Sequence, residues 1–213
     1  MASVLAYALV ATSQTIAAQS ANPHEAALLA PVLVSHPALF ASVERIARGS
    51  ALWRDAISGV RRTGRRVLVI TSDDLSAGIG LRGTLRTSFN PGLLAEVVPV
   101  IGSGFQVPAV VVVVNLSLVQ RMHEQLVTVP RDLDADLDRI MVHEIYGHAI
   151  PYLLAGQLSG RCADPLPGER AADACAIQRE NAVRTELGLG RRTDDGILSL
   201  TLSAGQRLAA GLN

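Results

Sequence analysis

The run VPAVVVVVNLSLV, residues 107–119, limits this chain's options more than any other stretch. Its valines are β-branched, which favours extended backbone over helix. A strand with one face in water alternates apolar and polar residues; this one does not, so it is buried on both faces or close to it. It is also too short and too β-branched to cross a bilayer as a helix. Such a strand needs neighbours. The segment RRVLVITSDD, residues 65–74, supplies one, ended by a polar turn.

Helical patterns flank these strands. From Asn22 to Arg62, Ala and Leu recur at spacings of three and four. Pro31 and Pro37 interrupt the pattern and imply two or three short helices, the last over SALWRDAISGVRR with Trp53 in the core. After the valine strand a long helix is expected. Pro130 marks its first turn, and Asp132, Asp134, Asp136 and Asp138 suit the positive helix N-terminus as a solvated face. The aspartates lack the mid-loop Gly and terminal Glu of a calcium loop. Leu133, Leu137, Ile140 and Met141 form the inner side, and Pro151 closes or bends the helix. A loop over 155–168 leads to a second helix, ERAADACAIQRENAVRTEL, ending at Gly188. The expected fold is therefore α+β, helices first, then a small sheet edged by strands at 67–72 and 107–115. Residues 1–21 read as an apolar leading helix or a weak signal sequence without a positive n-region. Residues 22–213 suffice for one domain.

Nineteen basic and nineteen acidic residues balance, so no basic footprint points to nucleic acid. The Gly-rich stretch SAGIGLRGTLRTSFNPG has no phosphate-loop pattern and reads as a loop or hairpin. Every basic residue is Arg. That fits a GC-rich genome, or avoidance of amine modification by a toxin acting inside a host cell. Cys162 and Cys175 either pair, if the protein is exported, or remain as buried thiols.

The chemistry concentrates in HEIYGH, residues 143–148. Two histidines four apart on a helix are offset by about 40°, but His143 and His148 are five apart, an offset of about 140°. A single π-type turn absorbs one residue and returns both rings to one side. Gly147 eases that distortion, although a mid-helix glycine costs roughly 1 kcal/mol. On the second helix Glu169, Asp173 and Glu180 fall within about 40° of one another, so three carboxylates share a face. Facing the core, they require a cation; facing solvent, they are an ordinary acidic stripe.

HExxxH followed by a Glu on a downstream helix resembles the zincin metallopeptidases, and the lengthened motif is similar to that of the dipeptidyl peptidase III family. The stretch ENAVRTELGLGRR is similar to bacterial effector and toxin metallopeptidases, which carry Glu-Asn-x-x-Arg and then Gly-x-x-Arg. The resemblance covers about residues 140–192. It implies a zincin-like domain that hydrolyses peptide bonds in a protein or peptide substrate. His143, His148 and Glu169 would bind Zn2+, with Asp173 as an alternative third ligand or as the residue orienting a histidine. Glu144 would activate the metal-bound water, Glu180 and Arg184 would buttress the ligands, and Tyr146, Tyr152 or Arg184 would stabilise the oxyanion. The alternative is a non-catalytic interaction domain with a structural or degenerate site, closed by Cys162, Cys175 or His123 as a further ligand. With no metal at all, HEIYGH is a polar patch at a helix end. An exported enzyme and a delivered effector or toxin fit equally.

Overall fold

The computed structural model describes residues 31–77, 93–100, 109–125, 132–155 and 171–192. The leading segment 1–21, Pro130, the Gly-rich stretch beyond Ala77, most of the 155–168 loop and the C-terminal tail lie outside them.

Within these residues the protein is α+β, with a four-stranded mixed sheet in the order β1-β2-β4-β3. The strands are β1 (Val32–Val34), β2 (Arg66–Thr71), β3 (Ala95–Val100) and β4 (Ala109–Val114). β1 and β2 run parallel, as do β2 and β4, while β3 pairs antiparallel with β4. The valine strand β4 is internal and buried on both faces. Val110, Val112 and Val114 join the main core, and Val111 and Val113 pack with Ile70 on the opposite face. That two-sided burial explains the unbroken apolar run.

Two expectations need correction. The strands at 67–72 and 107–115 are the inner pair of the sheet, not its edges. In the region 22–62, where only short helices broken at Pro31 and Pro37 were expected, the described residues include a strand, β1, between those two prolines. Three residues are too few to show an alternation, so pairing with β2, not local pattern, decides their conformation.

Helices α1 (Pro37–Gly49) and α2 (Ala51–Arg62) follow β1. Pro37 suits the first turn of α1, where an amide is not needed. Leu39, Val43, Ile46 and Ala47 form its buried stripe, and Trp53, Ile57 and Val60 that of α2. Ser50 joins the two helices: its amide donates to Ile46 O, and its hydroxyl accepts from the Trp53 amide at 3.0 Å. Two further helices, α3 (Ser72–Ala77) and α4 (Leu116–Gln125), begin directly after β2 and β4.

The helix of the motif has three parts: α5 (Leu133–Met141), a π segment (Val142–Ala149) and α6 (Ile150–Ala155). Asp132 caps its start by accepting from the Asp134 amide. The aspartate run is not one solvated face. Asp132 and Asp134 are exposed, but Asp136 and Asp138 are buried. Asp138 accepts from Ser42 Oγ at 2.6 Å and from Arg45, and Asp136 pairs with Arg139 and His123. Each buried carboxylate is thereby compensated. Helix α7 (Ala171–Glu186) packs across the π segment. No helix among the described residues is long and apolar enough to cross a membrane.

Candidate metal centre

The HEIYGH helix widens where the sequence requires it. The Ile150 amide donates to Ile145 O, five residues back, so the turn holds one residue more than an α-turn. His143 and His148 consequently meet. Their Nε2 atoms are 3.2 Å apart, and their rings stand edge to face with centroids 4.8 Å apart. Zinc–imidazole bonds of about 2.0–2.1 Å at a tetrahedral angle place two ligand nitrogens roughly 3.3 Å apart, so the pair fits a shared ion.

The second ring nitrogen of His143 is committed elsewhere. Nδ1 bonds a carboxylate oxygen of Glu180, a residue of α7 with no exposed surface. In the neutral ring, a proton directed there leaves the Nε2 lone pair on the side of His148, the tautomer a metal ligand needs. Burial opposes charge on His143, but the bond and charge of Glu180, with the charge of Glu144 behind them, hold its pKa above the ordinary value. Burial likewise pushes Glu180 up; the bond from His143 and the charges of His143, Arg192 and Arg184 outweigh it and keep the carboxylate ionised.

Glu180 is itself enclosed by cations. Arg184 Nη1 donates to its Oε1 at 2.7 Å, and Arg192 Nη1 lies 3.4 Å from Oε2 and 3.1 Å from His143 Nδ1. The chain reaches this position by a glycine turn. Gly188 has φ +68°, and the Leu189 amide donates to Arg184 O, closing the helix so that the next residues fold back along it. Arg184 Nε holds Gly190 O at 2.7 Å. Asn181 clasps Arg192 at both backbone groups, accepting from its N at 2.6 Å and donating to its O at 2.8 Å. Glu-Asn-x-x-Arg is thus a unit: Glu180 holds the histidine, Arg184 holds Glu180, and Asn181 docks the returning segment that brings in Arg192.

Sequence reasoning missed Arg192, because the Gly-x-x-Arg pattern points to Arg191, which is exposed. The two glycines ahead of the arginine pair were the available signal, since two positive-φ positions permit a sharp return. It also missed the opposition of Gly147 to Ala176. A Cβ at Gly147 would lie 2.9 Å from Ala176 Cβ and 3.2 Å from its Cα, so this glycine lets α7 approach as well as easing the turn.

Glu144 is half-buried on the π segment beside His143. Tyr146 stacks on Trp53 with centroids 6.4 Å apart, and burial raises its hydroxyl pKa. Tyr152 packs against the main core. Arg184 is buried against Glu180, the buttressing position. Asp173 belongs to the first turn of α7, and Glu169 lies outside the described residues. For His143, the orienting carboxylate comes from Glu180, seven residues beyond Asp173 on the same stripe. Among the described residues no third His, Cys, Asp or Glu stands with the histidine pair as a metal-holding group. Cys175 is disulfide-bonded, and the chain's one other cysteine, Cys162, lies outside the described residues. His123 is paired with Asp136. Comparison with known proteins gives no assignment: no family model, no curated protein and no solved structure matches the chain.

Proposed function

We propose that this chain is a zinc-dependent hydrolase of peptide bonds, a metallopeptidase of zincin type. One observation carries the reading: two imidazole Nε2 atoms 3.2 Å apart, one of them on a ring whose other nitrogen is fixed by a buried carboxylate. Two imidazoles with an oriented tautomer are a donor set suited to zinc. His143 and His148 would hold the ion, with Glu169 as the third donor. When bound there, zinc supplies Lewis acidity toward a carbonyl oxygen and acidifies water.

The chain's own groups do the rest. Glu144, beside the first histidine, accepts a proton from the attacking water and delivers it to the leaving amine. Glu180 keeps the His143 ring from turning, and Arg184 keeps Glu180 in place. The substrate is a protein or peptide, and both an exported enzyme and a delivered effector or toxin remain within the reading.

Zinc quantification and a peptide-hydrolysis assay on three proteins test it. Wild type is expected to bind zinc and hydrolyse peptide. His148→Ala should lose both, and Glu144→Gln should keep zinc while losing roughly 10²–10⁴-fold in rate. Full zinc content in His148→Ala would refute the ligand pair. Zinc bound by an inactive wild type would favour the non-catalytic domain instead.

A further inference from the structure

A glycine and a proline occupy the helix of the motif four residues apart, a spacing that in α register removes one local hydrogen bond. Pro151, four residues after Gly147, has no amide hydrogen. In an α-helix, the amide at that position would donate to the Gly147 carbonyl. Arg179 of α7 supplies a donor instead, with Nη1 3.0 Å from Gly147 O. Arg179 lies three residues beyond Ala176, the residue packed against the bare Gly147 Cα, so both act from one face of α7. The same helix that orients His143 through Glu180 therefore also grips the backbone immediately before His148.

We propose that Arg179 is a positioning residue: it locks the π turn that brings His148 to His143 by holding the Gly147 carbonyl with a hydrogen bond from α7, one that Pro151 could not supply even if the turn tightened to α register. The guanidinium bond is charge-assisted and directional. It draws the carbonyl toward α7, and so fixes the peptide plane that leads into His148. If this turn tightened to α geometry, histidines five apart would diverge by about 140°. Arg179 acts through the backbone and touches neither metal nor substrate. Its consequence for metal binding rests on the zinc reading above; its consequence for the turn does not.

Two measurements on Arg179→Met and Arg179→Lys test the assignment. The first is hydrogen exchange in metal-free protein at the Ile150 amide, whose bond to Ile145 O closes the wide turn. Arg179→Met keeps the apolar stem and removes the donors, and Ile150 exchange should rise roughly tenfold or more. Exchange at Val112, in the internal strand, should not change, which separates a local release from general unfolding. The second is Co2+ affinity followed by its visible absorption, which should weaken roughly 10–100-fold. Arg179→Lys retains an ammonium donor and should recover part of both losses.

Wild-type Ile150 protection in Arg179→Met, or an Arg179→Lys protein no better than Arg179→Met, would overturn the assignment. A wild type that takes up no Co2+, while Ile150 still loosens in Arg179→Met, would sink the metal reading and leave Arg179 as the lock of the turn.

Discussion

The sheet layer and the π-turn layer of this protein are held together by opposite means. In the main core, Leu39, Val43 and Ile46 of α1 share one apolar cluster with Val110, Val112 and Val114 of the sheet, and area and volume govern the packing. Where α7 lies on the π segment, Val183 joins the same apolar cluster, but single directed groups are added to it: Glu180 on His143, Arg179 on the Gly147 carbonyl, and Ala176 against a missing side chain. An apolar interface tolerates exchange of one hydrophobe for another of similar size. A buried polar interface does not, because removing one partner leaves the other without compensation. The protein thus combines a permissive half that supports the fold with an exacting half that holds the candidate chemistry.

The sharpest contrast is between two shape-conserving substitutions. Glu180→Gln preserves outline but removes the charge compensating Arg184 and Arg192, and should destabilise the protein by about 3–5 kcal/mol in chemical denaturation. Zinc uptake should fall with it. If Glu180→Gln proves nearly neutral, the π-turn layer is as permissive as the sheet and the contrast fails. Gly147→Ala comes next. Helix propensity alone favours alanine by about 1 kcal/mol. Yet the new Cβ would sit 2.9 Å from Ala176 Cβ and 3.3 Å from its carbonyl oxygen, and overpacking of this kind costs about 1–3 kcal/mol. Net destabilisation with weakened zinc uptake is expected, and Ala176→Gly in the same protein should restore part of both by reopening the space. On the other side of the comparison, Leu39→Met keeps the volume of a residue with no exposed surface. It should cost less than about 1.5 kcal/mol and leave zinc uptake unchanged.

The same division explains what the sequence could disclose. Strands β2 and β4, helix α2 and the course of α7 were legible because each rests on a local pattern: an apolar β-branched run, a helical apolar spacing, a helical stretch ended by glycine. The π turn was legible too, since His143 and His148 serve one purpose only if the helix widens between them. Strand β1 was not, because three residues take their conformation from β2. Asp138 was read as solvated because nothing local announces Arg45, which lies 93 residues before it in the chain; Asp136 has a local partner in Arg139, but its burial beside His123 is equally unannounced. Of the site, Glu180 and Arg184 followed from a motif, whereas Arg192 and Arg179 depend on how two helices meet. Spacing within one element is written in the sequence; the choice of partner across elements is only weakly so.

The smallest expected effect belongs to the sheet's own polar fringe, at the start of α3. Thr71 and Asp74 form a reciprocal cap: the Asp74 amide donates to Thr71 Oγ1 at 3.0 Å, and the Thr71 amide donates to Asp74 Oδ2 at 3.1 Å. Ser35 Oγ adds a third bond at 2.6 Å. Burial works to raise the Asp74 pKa, but the bonds from Ser35 and Thr71 outweigh it and hold the folded value below the usual carboxylate value. A lowered folded pKa means stabilisation that is present above the unfolded value of about 3.9 and is lost as pH falls through the folded one. Asp74→Asn should therefore cost less than about 1 kcal/mol at neutral pH, because the group is only part-buried and solvent screens it, and should flatten the acid limb of the stability–pH curve below pH ~4. Its zinc uptake should match wild type, because this cap serves the permissive layer alone. Loss of metal in Asp74→Asn would mean that the two layers are coupled through β2, and that the division between them is not physical.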